Sequence, residues 1–115
     1  MLYYMRSLLG AVAPLAVSIP TLAAGVGSSA IVVSNPTSPA TVTGGVGPYS
    51  YAWSVSAQTG NKTVTITSPS ASSTTFRVST LVAGDSGYCD AICTVTDTAT
   101  QVAVSNICSV QLDRT

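Results

Sequence analysis

Tyr49, Tyr51 and Trp53 occupy alternate positions, so an extended strand carries all three on one face. Exposed, such a face is a ledge for stacking on sugar rings; buried, it is the centre of a core. Val55 continues the face, and the chain holds one Trp and one Phe from which to build an interior. The core reading is therefore favoured for Trp53, with Tyr51 beside it, while Tyr49 lies at the sheet end as a candidate exposed aromatic. Cys89, Cys93 and Cys108 are the nucleophile and metal-ligand candidates, but the sequence has no histidine. Without imidazole there is no Ser-His-Asp or Cys-His nucleophile system. No cysteine pair has the tight C-x-x-C spacing of most zinc sites. All four acidic residues are aspartates: Asp85, Asp90, Asp97 and Asp113. Glycoside hydrolysis needs a raised-pKa acid paired with a second carboxylate, and aspartates scattered beside turn residues fit that badly. Asp85, Asp90 and Asp97 could gather around calcium, which takes six or more oxygens; the competing reading is turn chemistry, since Asp beside Gly shapes turns. The expectation is a protein that is not an enzyme and carries no cofactor or metal.

The 115 residues suit one domain. Charged residues make up 7% and the net charge is zero. The basic residues Arg6, Lys62, Arg77 and Arg114 are spread along the chain, so no basic patch exists for phosphates and nucleic acid is not an expected partner. A surface so poor in charge fits a chain covered by partners, or one coated with Ser and Thr.

The first stretch, MLYYMRSLLGAVAPLAVSIPTLAAG, has one early arginine, an apolar run and a small-residue end at TLAA, the outline of a secretory signal. Pro14 and Pro20 interrupt any helix there, and a membrane span needs about 20 uninterrupted apolar residues. A better fit places Leu15, Val17 and Ile19 at strand period between the two prolines, which edge strands tolerate. Residues 1–13 then form an apolar arm, extended or a short helix, and 14–113 the domain, with 114–115 a tail. Leu2, Tyr3, Tyr4, Met5, Leu8, Leu9 and Val12 are the arm's candidate assembly contacts; folding back on its own domain is the alternative.

Beyond the arm the chain alternates throughout. Expected strands are 28–35 with Ile31 and Val33 on one face, 40–45 with Ala40 and Val42, 49–55, 62–68 with Val64 and Ile66, 73–81 with Phe76 and Val78, 88–97 and 101–112. Turn signals separate them, at Asn35-Pro36, Gly44-Gly45, Gly60-Asn61, Ser68-Pro69, Gly84-Asp85 and Asp97-Thr98. Short alternating strands with close turns mean an all-β sandwich or barrel. The last two strands form a hairpin turning over 98–100. The expected register pairs Val95 with Val102, Cys93 with Val104 and Cys89 with Cys108, so that Cys89, Ala91, Cys93, Val95, Val102, Val104, Cys108 and Val110 share one buried face. Cys89 and Cys108 then either bridge or stay buried thiols; an odd count without a secretion signal favours thiols and cytosolic folding. Asn61-Lys62-Thr63 is a glycosylation sequon by pattern alone.

The stretch GGVGPYSYAWSV, followed by ITSPSASSTTFRVSTLVAGDSGYCDAICTVTDTAT, resembles the Ig-like domains of bacteriophage structural proteins. Those share a Gly-Gly-x-Gly-Pro-Tyr-x-Tyr-x-Trp strand, a Ser-Pro-x-Ala-x-Ser-Thr-x-Phe segment and a Cys-Thr-Val-Thr-Asp strand. The likeness spans about Leu15 to Leu112, and its first motif is also similar to PKD and other cell-surface Ig-like modules. No cysteine lies in ATVTGG, so the antibody-type inter-sheet disulfide cannot form. The Phe-Gly-Asp that usually follows the tryptophan of PKD domains is replaced here by SVSAQTG. The resemblance implies an Ig-like β-sandwich of about seven to eight strands. It also implies a role on the virion, as capsid decoration, head–tail or tail accessory, or fibre, in a homo-oligomer or symmetric array with other virion proteins. Weak contact with a host-surface glycan is implied as well. The alternative is a secreted or surface-anchored carbohydrate-binding or adhesion module.

Overall fold

The computed structural model describes residues 12–34 and 39–115. These contain ten strands and no helix. In chain order they are β1 (Ala16–Ser18), β2 (Leu22–Gly27), β3 (Val32–Val33), β4 (Thr41–Thr43), β5 (Ser50–Gly60), β6 (Thr65–Ile66), β7 (Phe76–Val78), β8 (Ser86–Thr96), β9 (Val102–Val104) and β10 (Cys108–Arg114). The fold is an all-β sandwich. One layer is a sheet in the order β2-β10-β8-β5, with β9 continuing the β10 side of β8; the β3-β7-β6 sheet packs across the core from it, and the two-stranded β1-β4 sheet stands beside β9.

β8 is the spine of the large sheet. Its burial alternates strictly over eleven residues, with Gly87, Cys89, Ala91, Cys93 and Val95 inward. Thr, Tyr, Asp and Ile stand on the outer face, the pattern of a strand with one wet side. β5 lies antiparallel to it, with Tyr51 opposite Val95, Trp53 opposite Cys93 and Val55 opposite Ala91. The core joins these to Phe76, Val78, Val64 and Leu81 from the β3-β7-β6 side, and to Ile19 and Ala40 from the β1-β4 side. Trp53 and Phe76 meet edge to face, ring centroids 6.3 Å apart, the geometry that aromatic quadrupoles favour.

The aromatic strand is launched by a turn only glycine can make. Gly44 and Gly45 have φ of 70° and 64°, in the left-handed region. A Cβ on Gly44 would overlap the Pro14 carbonyl, and one on Gly45 would lie 2.8 Å from the Asp97 carboxylate. The chain then passes a cis Gly47-Pro48 bond into β5.

Several expectations are corrected. Leu22–Gly27, unassigned by pattern, is a strand parallel to β10, pairing Ala23 with Val110 and Leu112 with Gly25. Its Ala and Gly residues are poor strand formers, but this is where the layers touch: a Cβ on Gly25 would lie 2.5 Å from the Val33 carbonyl. In β3, Ile31 and Val33 are the exposed side, while Val32 and Ser34 are buried; the Ser34 hydroxyl accepts from Phe76 N at 2.9 Å. Arg114 and Thr115 are not a tail. Arg114 N donates to Asp85 O, and Thr115 N to Gly27 O.

The largest correction is the register of the last hairpin. Val104 faces Thr94, Ala103 faces Val95 and Val102 faces Thr96. One residue of slip turns a strand over, so Val102 and Val104 point outward at 62% and 59% exposure. Val104 is therefore not a core residue. The continuous strand expected over 101–112 is broken at 105–107. Beyond the break Cys108 faces Ala91 and Val110 faces Cys89, a further residue of slip that returns both to the core. Three residues, Ser105, Asn106 and Ile107, oppose two on β8, a β-bulge.

Candidate interaction surface

Trp53, the three cysteines, Asp85 and Asp97 are held by the fold itself. Trp53 is buried at 4% exposure, and its indole N–H donates to Ala71 O at 2.7 Å. Tyr51 and Tyr49 pack half-buried against the core, and the Tyr49 hydroxyl donates to Gly44 O at 2.8 Å. No exposed aromatic ledge is left on this face. Of the expected core residues, Trp53, Phe76, Cys93 and Val95 are buried.

Cys89, Cys93 and Cys108 are buried thiols. The expected cross-strand pair is not opposed: Ala91 stands across from Cys108, and Val110 across from Cys89, so the Cys89–Cys108 bridge is not formed. Burial, then the Asp90 carboxylate, then Cys108 push the Cys89 thiol up to about 11. Burial raises the other two as well. Reactivity belongs to the thiolate, so none is poised as a nucleophile at neutral pH.

Asp85 and Asp97 flank the eleven-residue β8, which at about 3.3 Å per residue puts them on the order of 35 Å apart. They cannot share an ion. Asp85 accepts from Val82 N and from the Asn61 amide, with Lys62 at 3.8 Å. The Val82 and Asn61 hydrogen bonds outweigh burial and, with Lys62 and Arg114, hold it below the usual carboxylate range. Asn61, the sequon residue, also accepts from Ser86 N and so closes the turn before β8. Burial alone would raise Asp97. Donors from Val46 N, Gln101 N, the Gln101 amide and Ala99 N outweigh it and hold the carboxyl low. Both aspartates are turn keystones. Among the described residues no three potential ligands gather into a metal cluster, and no helix is long and apolar enough to cross a membrane.

The outer face of the large sheet divides into two halves. Towards the Ser86 end of β8, Tyr88, Asp90, Ser109 and Gln111 line an open trough of about 440 Å³ with Ala57 and Thr59. β5 bulges beside it between Ser56 and Thr59, around Ala57 at φ 54°. The Tyr88 hydroxyl donates to the Asp113 carboxylate at 2.6 Å. Towards the Thr96 end the face is uncharged: Ser50, Ala52 and Ser54 on β5, Ile92, Thr94 and Thr96 on β8, Val102 and Val104 on β9. Ile107 and Leu22 add two more apolar side chains at 57% and 54% exposure.

The described chain begins beside this uncharged half. The carbonyl of Ala13 accepts from Gly45 N, Leu15 N donates to the Gln101 amide oxygen at 3.3 Å, and Val12 is 44% exposed. The other arm contacts, Leu2, Tyr3, Tyr4, Met5, Leu8 and Leu9, lie outside the described residues. Sequence reasoning missed the apolar strip because it assigned Val102 and Val104 inward. The signal that finds it is Ser105-Asn106, two polar residues interrupting an apolar alternation.

No family model, no curated protein and no solved structure matches this chain.

Proposed function

We propose that this protein is a non-enzymatic structural or accessory module of a bacteriophage virion. It is a capsid-decoration, head–tail or tail-associated sandwich that folds in the host cytoplasm and attaches to neighbouring virion subunits by contact area. One observation carries this reading: an apolar, uncharged surface stands open at the end of the sandwich where the described N-terminal residues join it, while Trp53, the three cysteines, Asp85 and Asp97 are occupied in core and turns. Apolar burial contributes about 25 cal/mol per Å², and symmetric repetition turns weak contacts into firm attachment. The phage Ig-like resemblance of the GGVGPYSYAWSV stretch supports the virion setting.

The test is deletion of residues 1–11, which leaves the Ala13 and Leu15 hydrogen bonds in place. The truncated chain is expected to fold, with an unchanged circular dichroism spectrum, and to be missing from purified particles. Normal incorporation overturns the reading.

A second reading, a secreted or surface-anchored carbohydrate-binding module, draws on the trough. A tyrosine, a carboxylate, an amide and two hydroxyls in one shallow concavity suit a sugar. Cleavage near Gly25 would remove β1 and half of β2, with Ile19 and Ala23 from the core, which weighs against a signal in that stretch. Chemical-shift changes confined to Tyr88, Asp90 and Gln111 on titration with oligosaccharides would favour this second reading.

A further inference from the structure

We propose that the apolar strip formed by Val102, Val104, Ile107 and Leu22 is the dock for residues 1–11 of a second copy of this chain, so that copies join head to tail. The proposal rests on the arm being an anchor and names the surface that receives it.

The strip is continuous by register. Val102 and Val104 stand on the outer face opposite Thr96 and Thr94. Extending the β10 register by one residue sets Ile107 opposite Ile92 on the same face. Leu22 pairs with Ser109, one strand over. Each of the four is more than half exposed, and the surrounding outer-face residues on β5 and β8 are Ser, Thr, Ala and Ile92. A surface without charge selects a partner of the same kind. Residues 1–11, MLYYMRSLLGA, fit it: five Leu or Met side chains, two Tyr and a single charged side chain.

Chain direction points to a second copy. Leu15 lies beside Gln101 and Ile19 beside Asn106, whose amide both donates to Ile19 O and accepts from Ile19 N. β1 therefore runs in the same sense as β9. Traced backwards from Leu15, the described residues reach Ala13, whose carbonyl meets Gly45 N beside the 97–101 turn, at the Val102 end of the strip and away from Val104 and Ile107. A donor and an acceptor that are different patches make a heterologous contact, which closes into a ring or extends into an array.

The experiment uses two proteins, one lacking residues 1–11 and one carrying Val102→Thr and Val104→Thr, which keep β-branched strand formers at an exposed site. Sedimentation velocity is run over a hundredfold concentration range. The unaltered chain is expected to associate as concentration rises, and each altered protein to remain monomeric. Mixing the two is expected to restore a heterodimer, because one retains the strip and the other the arm, and to yield no larger species. Leu22→Ser probes the same strip from β2 should the double variant fail to fold. The proposal falls if the threonine variant associates like the unaltered chain, if the mixture stays monomeric, or if the unaltered chain is monomeric throughout, as an arm docked on its own domain would be. Particle incorporation separates the two proposals: if the arm deletion abolishes it and the strip variant does not, the dock is wrong and the anchor stands.

Discussion

β9 and β10 pair with the same side of β8 and carry the same apolar alternation, yet they face opposite ways. β10 buries Cys108, Val110 and Leu112 completely. β9 leaves Val102 and Val104 in the open. Between them lies a bulge in which Ser105 N donates to Cys93 O, and the Ser105 hydroxyl accepts from Cys93 N at 2.9 Å. Asn106 ties the same point to both backbone groups of Ile19. Alternation dictates that a strand has an apolar face; one inserted residue dictates which way that face points.

The contrast breaks most visibly on the inner side. Leu112→Ala on β10 should cost about 2–5 kcal/mol, and Trp53→Ala, which empties the core on β5 of the same sheet, about 3–5 kcal/mol. Urea unfolding reads both, and a Trp53→Ala protein of unchanged stability would contradict the core assignment. The bulge comes next. Ser105→Ala strips the buried Cys93 N–H of its side-chain acceptor and should cost about 1–3 kcal/mol, with faster amide exchange at Cys93.

Acid tests the turn that sets the β9 register. Asp97 is held below its ordinary value, so its contribution is present above the unfolded carboxylate pKa of about 3.9 and is lost as pH falls through the lower folded value. The melting temperature should drop on acidification below about pH 4. Asp97→Asn should flatten part of that drop, and Asp85 accounts for a further part. An identical acid profile in the variant would remove Asp97 from this role. The smallest effect belongs to the outer side: Val102→Thr and Val104→Thr should each shift stability by no more than about 0.5 kcal/mol. A loss of 2 kcal/mol at either position would put β9 back in the core.

Much of the fold was legible from local pattern. The strand at Tyr49–Val55, its inward Trp53, the Phe76 and Val78 face and the β8 alternation follow from period-two spacing, because an extended chain sends successive side chains to opposite faces. The turn at Gly44-Gly45 follows from glycine's tolerance of positive φ. β2 was not legible, because LAAGVG has neither alternation nor β-branched bulk until it is pressed beneath Val33. The proposed dock was hidden for a related reason: the expected register ran straight through Ser105-Asn106, and both valines were assigned to the interior.

What the amino-acid order by itself determined is the class of the fold, the centre of its core and the absence of any histidine chemistry. These depend on residue type and on spacing within one strand. Tertiary structure alone decided which cysteines face each other, that Asp85 and Asp97 lie at opposite ends of β8, and that Val102 and Val104 reach solvent. Those outcomes depend on register between strands, and register is set by the bulge, the turn and the neighbouring β1 together. No single strand contains enough of those contacts to reveal it.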